Sequence, residues 1–148
     1  MAAIEGGVEI ARRPEEVFAY LDQLDRHGEW QEQLVSARAD SGPTKLGTRS
    51  TEVRRVLGGR TQTLTYEITE HNPPRSFAFR GIDGPIRSVG RVTVEPVGDG
   101  SSARASVELD FVGHGFGKLL RPLVIRQVRN QVPKDQQRLK QRLESSAS

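Results

Sequence analysis

The sequence predicts an α+β protein in which a curved antiparallel sheet of about seven strands wraps around a long C-terminal helix, with two short helices after the first strand. Three observations predict it. From Leu34 to Val112 apolar side chains recur with period two between Gly- and Pro-rich turns, the pattern of successive strands. Lys118 to Glu144 carries apolar residues at helical spacing and, at about 1.5 Å per residue, spans ~40 Å. No helical segment separates the strands, so they form a meander rather than parallel crossover units.

The elements follow in order. Ile4, Val8 and Ile10 mark an opening strand over Ile4 to Ala11. Arg13-Pro14-Glu15-Glu16 reads as a helix start, with proline at the first helical position and carboxylates where the helix dipole favours them. Val17, Phe18, Leu21 and Leu24 continue at helical spacing. Gly28 interrupts the pattern, so Asp25 to Gln33 forms a second short helix or turn carrying Trp30. Gly58-Gly59 between Thr48–Leu57 and Arg60–Glu70 is a two-residue hairpin signal. His71-Asn72-Pro73-Pro74 turns the chain into Ser76–Arg80, Gly81 to Pro85 turns it into Ile86–Glu95, and Gly98-Asp99-Gly100 turns it into Ala103–Val112.

Within the strands Leu64, Tyr66 and Ile68, then Phe77 and Phe79, then Val107, Leu109 and Phe111 alternate with small or polar residues, giving one buried and one wet face. Only the terminal helix is long enough to cover the buried face. On a helical wheel Leu120, Leu123, Val124, Val128, Val132, Leu139 and Leu143 share one arc, and Arg126, Arg129, Lys140 and Glu144 lie opposite as a solvated face. Pro133 falls inside this helix, where a kink is expected.

At 148 residues the chain fits one domain over 1–148, with 145–148 as a frayed tail. Hydrophobic residues make up 34% and charged residues 28%, the balance of a soluble globular chain. The absence of cysteine excludes disulfides, thiolate metal sites and a cysteine nucleophile. No apolar run reaches the roughly 18 residues of a membrane span, and the N-terminus lacks a basic start and apolar stretch, so a cytoplasmic protein without integral membrane association is expected. The net charge is +3, but 22 basic and 19 acidic residues are interleaved, which argues against a nucleic-acid partner.

The element order, with Arg13-Pro14-Glu15-Glu16-Val17-Phe18-Ala19-Tyr20 followed by Glu29-Trp30, resembles the START-like, Bet v 1-like superfamily and, within it, the polyketide cyclase/dehydrase branch of the SRPBCC proteins. The likeness continues through Leu46-Gly47-Thr48-Arg49, Glu70-His71-Asn72-Pro73-Pro74-Arg75 and the terminal helix. Gly28 departs from it, standing where relatives often have proline. The resemblance implies a helix-grip fold with a hydrophobic cavity between sheet and helix, and binding of lipids, hormones, polyketides or other small apolar molecules. Some members catalyse cyclisation or dehydration. It carries over no catalytic residue.

The residues supply no catalytic set, cofactor motif or metal set. His27, His71 and His114 lie far apart and read as solvated loop histidines. Gly113 to Lys118 resembles a phosphate loop only superficially, since Val112 and Leu119 break the pattern; it reads as a flexible joint able to gate a pocket. Trp30 and Tyr66 serve either as core or as pocket lining. Gln127 and Gln131 fall inside the apolar arc one turn apart. A buried amide without a partner costs about 1–3 kcal/mol, so either they face a wet or ligand-filled cavity or a kink near Pro133 turns them to solvent.

The expected function is binding of a small hydrophobic or aromatic ligand in a pocket lined by Trp30, Tyr66, Phe77, Phe79, Leu120 and Val124, with Gln127 and Gln131 for orientation. A cyclase/dehydrase-type enzyme using the same pocket is the alternative, distinguished by a pKa-shifted acid and base inside it. An interaction module would instead show a large exposed apolar patch. The sequence leaves oligomeric state open, a homodimer through a sheet edge or the terminal helix being one arrangement.

Overall fold

The structure is a computed structural model of the chain, and it describes residues 2–145. Strand β1 (Ile4–Ile10) leads into helix α1 (Pro14–Leu21) and a 3-10 turn (Leu24–Glu29). Six further strands follow: β2 (Leu34–Ala39), β3 (Arg49–Arg55), β4 (Thr61–Asn72), β5 (Ser76–Gly81), β6 (Ile86–Val97) and β7 (Ser102–Gly113). Helix α2 (Gly117–Ser145) ends the described chain. The seven strands form one antiparallel sheet in the order β1-β7-β6-β5-β4-β3-β2, a meander closed by β1 on the far side of β7. Register shifts at Leu34/Ser36 and Ile68/Glu70 mark bulges, which bend strands and sharpen the twist.

Pro14 occupies the start of α1 with Glu15 and Glu16 in its first turn, as the sequence predicts. The hairpin at Gly58-Gly59 is wider than the predicted two-residue turn. A short 3-10 turn over Leu57–Gly59 sits between Arg55 and Thr61, the last register pair of β3 and β4. Both glycines hold φ near +80°, where a side chain is strained. His71 and Asn72 belong to β4 rather than to the turn that follows. The tail expected over 145–148 lies beyond the described residues except for Ser145, which is helical.

Helix α2 packs on β1, β7 and β6. Its inner seam is Ile125, Val128, Val132, Gln136, Leu139 and Leu143, spaced three and four apart. This differs from the predicted arc by a small rotation, which buries Ile125 and exposes Leu123. The reason is the close approach to β1: a Cβ on Gly6 would lie 3.0 Å from both Val132 and Gln136. Arg129 and Lys140, expected on a solvated face, donate to the backbone carbonyls of Ala3 and Glu9 at 3.0 and 2.9 Å. The Glu144 carboxylate accepts from Ala11 N at 2.8 Å. Polar side chains of the helix thereby cap the free edge of β1, a standard protection against edge pairing.

The core gathers at one end of the interior. Ile10, Val17, Phe18, Leu21, Phe77, Val94, Ala103, Ala105, Leu139 and Leu143 are all buried there. Two histidines belong to the scaffold, not to solvated loops. His27 is buried and donates through Nε2 to the Leu21 carbonyl at 2.7 Å. Its pKa lies below the ordinary histidine value because burial penalises the charged ring. His71 meets the Asp22 carboxylate at 2.9 and 3.0 Å and packs against Phe18.

Candidate functional site

Strand β3 has no apolar side chain on its inner face. Cross-strand partners share a face, and the register sets Ser50 between Ala39 and Tyr66, Glu52 between Ala37 and Leu64, and Arg54 between Leu34 and Gln62. Ser50 and Glu52 are buried while Arg49, Thr51 and Arg55 on the other face are exposed. The interior thus gains a hydroxyl, a carboxylate and a guanidinium from three alternate residues of one strand.

These groups are tied together. Arg54 Nε donates to Glu52 Oε1 at 2.8 Å, and its guanidinium also donates to Gln31 Oε1. Burial works against the Arg54 charge, but neighbouring Glu52 holds it protonated. The Tyr66 hydroxyl lies in hydrogen-bond reach of Ser88 and Arg54, and burial pushes its pKa up, so it stays a neutral donor. Trp30 follows the 3-10 turn, packs against the core and sets its ring 5.5 Å from His27. Among the described residues, Trp30 Nε1 and Ser50 Oγ are buried side-chain polar atoms without a hydrogen-bond partner. Each such group costs about 1–3 kcal/mol, so native folds keep few of them.

Apolar groups surround this polar strip. Tyr66 and Phe79 meet edge to face at 6.0 Å. The Phe79 ring lies across Gly90, where a Cβ would stand 2.5 Å from it. By register Leu64, Leu109 and Phe111 share this inner sheet face, and all are only half-buried, unlike the residues of the core end. The β2 side reaches α2 through a polar clasp. Gln131 Nε2 donates to Glu32 Oε1 and Asp135 Oδ1, each at 2.9 Å, and Glu32 N donates to Asp135 at 3.1 Å. Burial raises the Asp135 pKa.

Of the residues singled out in the sequence, Trp30, Tyr66, Phe79, Leu120, Val124 and Gln127 are half-buried. Phe77 sits deep in the core end, 6.1 Å from Phe18. Gln131 belongs to the clasp. Sequence reasoning missed Ser50, Glu52, Arg54 and Ser88. The available signal was β3 itself, a strand flanked by amphipathic neighbours yet lacking an apolar face of its own. The strand-to-helix joint at Gly113 to Gly117 is tied down by His114 N donating to Pro85 O at 2.7 Å. One open surface depression lies on the outer sheet face at Glu70, Arg91 and Glu108 and also touches Phe79 and Leu109, and another lies beside Tyr20 and Arg142.

No curated protein matches the chain in sequence. Solved structures do match in shape. TTHA0849 from Thermus thermophilus is 21% identical with a TM-score of 0.79, covering 98% of this chain and 99% of its own. A START superfamily protein from Mycobacterium smegmatis is 14% identical with a TM-score of 0.72, covering 95% and 97%. The di-domain ARO/CYC BexL from the BE-7585A biosynthetic pathway is 17% identical with a TM-score of 0.73, over 95% of this chain and 45% of that one. At these identities the likeness establishes the fold, the helix-grip arrangement of START-like proteins. Residues 1–144 match the family described as polyketide cyclase / dehydrase and lipid transport, and the chain belongs to that family.

Proposed function

We propose that the chain binds a small hydrophobic, ring-bearing molecule between β3–β6 and the N-terminal half of α2. The observation that carries this reading is the inner face of β3, where Ser50 Oγ is buried and unpartnered on the same face as the Glu52–Arg54 pair, as Trp30 Nε1 is after the 3-10 turn. A ligand oxygen accepting from these donors offsets their desolvation, while its apolar body covers Tyr66, Phe79, Leu109, Leu120 and Val124. Few polar groups set in an apolar wall is the usual composition of a small-molecule site. Membership of a family described by cyclase, dehydrase and lipid-transport activities supports the same class of ligand.

A second reading, catalysis of cyclisation or dehydration, is favoured by one feature, the neutral Tyr66 phenol beside Arg54. Such a donor polarises a carbonyl of a folded, chain-like substrate, and the enclosing walls hold the reacting carbons in near-attack geometry. Native mass spectrometry of freshly purified protein tests the binding reading. A retained molecule of one mass class, lost in Val124→Phe, supports it. Protein that carries nothing and takes up neither fatty acids nor fused-ring phenols overturns it. Recovery of an offered poly-ketone as a cyclised or dehydrated product, slowed in Tyr66→Phe, selects the catalytic reading.

A further inference from the structure

Phe116, Leu119 and Leu123 project from the start of α2 and are 68%, 82% and 55% exposed. Spaced three and four residues apart, they form one ridge, with exposed Pro122 beside it. Single exposed apolar side chains are ordinary, but a contiguous row marks a contact surface. The flanking charge indicates what the surface contacts. From Val112 to Lys134 the chain carries Lys118, Arg121, Arg126, Arg129 and Lys134 and no acidic residue. Arg121 is paired with Asp110 at 2.7 Å and Arg129 donates to Ala3 O, while Lys118, Arg126 and Lys134 are exposed. Arg126 continues the ridge three residues beyond Leu123.

An apolar ridge rimmed by cations suits a surface that is apolar inside and anionic at its face. We propose that this ridge docks the protein on an anionic phospholipid bilayer. Phe116, Leu119 and Leu123 enter the interface, and Lys118, Arg126 and Lys134 meet the headgroups. Leu120 and Val124 lie on the same helical turns and face the candidate site, so docking sets the rim of that site against the bilayer. This last consequence rests on the proposed ligand binding; the docking does not.

Co-sedimentation with vesicles of phosphatidylcholine, alone or mixed with phosphatidylglycerol, tests the docking. The expected result is binding to the mixed vesicles, weak binding to the neutral ones, and loss as salt shortens the Debye length. Leu119→Asp with Leu123→Asp weakens binding by about tenfold or more, since two large apolar side chains no longer enter the interface. Lys118→Glu with Arg126→Glu removes the preference for anionic vesicles. Leu46→Asp, in the β2–β3 loop and 67% exposed in the parent, serves as the control and changes neither. Circular dichroism melts confirm that every variant folds. Absence of binding to mixed vesicles, or binding indifferent to the leucine pair, overturns the proposal. So does a dimer in sedimentation velocity that the same pair abolishes, because a second copy then covers the ridge. Ligand retention in native mass spectra is read separately, so failure of docking and failure of the binding site are distinguishable.

Discussion

The two ends of the interior share one sheet and one helix and are built differently. At the end formed by α1, Phe77, Val94 and the last turns of α2, side chains are almost wholly shielded from water. At the other end Leu64, Tyr66, Phe79 and Leu109 are less fully shielded though they lie on the inner sheet face, and three polar side chains of β3 share that face. The helix explains the contrast, because it lies over β1, β7 and β6 and meets the β2 side through long polar side chains. One end therefore supplies stability and the other is free to carry a site.

The largest expected difference between the ends is in stability. Phe77→Ala should cost about 3–5 kcal/mol, as for a large aromatic removed from a packed core. Leu120→Ala should cost less, about 1.5 kcal/mol, since part of its surface is already wet. Urea denaturation of both measures this, and equal losses would show that the open end is as well packed as the other. Next in size is the pH dependence set by His27. Its folded pKa is depressed, so as pH falls below about 6.5 the unfolded chain takes up the proton first and stability falls, by at most about 1.4 kcal/mol per pH unit. Stability from this residue is full above that pH. In His27→Gln the drop between neutral pH and mildly acidic pH should shrink; an unchanged drop would assign it to other groups.

Smaller effects test the open end directly. Tyr66→Phe should change stability by less than about 1 kcal/mol while weakening ligand retention, because the ring stays and only one hydroxyl is lost. Ser50→Ala removes a buried hydroxyl that has no partner, so melting should be unchanged or raised, by up to about 1 kcal/mol in stability. A clear loss of stability there would mean that Ser50 is bonded within the protein and is no part of a site.

The antiparallel meander and the long helix were legible because alternation and helical spacing report burial directly. Leu64, Tyr66 and Phe79 were readable as inner-face residues for that reason. Ser50, Glu52 and Arg54 were not. Their strand carries charge on both faces, and period two shows which residues share a face without showing which face is inside. The bonds of Arg129 and Lys140 to β1 were not legible because sequence does not reveal an unpaired strand edge beside a helix. His27 was misplaced because a bond to the Leu21 carbonyl six residues earlier follows no side-chain pattern, and His71 because its Asp22 partner is distant in sequence.

Trp30 is the sole tryptophan, and among the described residues its ring nitrogen is buried without a hydrogen-bond partner. Its emission therefore reports on the interior beside His27 and the core. Titration with a fused-ring aromatic acid should give a saturable one-site change, weakened about tenfold by Tyr66→Phe together with Ser50→Ala and left intact by Leu46→Asp. Emission that does not saturate, or an affinity the paired substitution leaves unchanged, would contradict a ligand seated between the inner face of β3 and the start of α2.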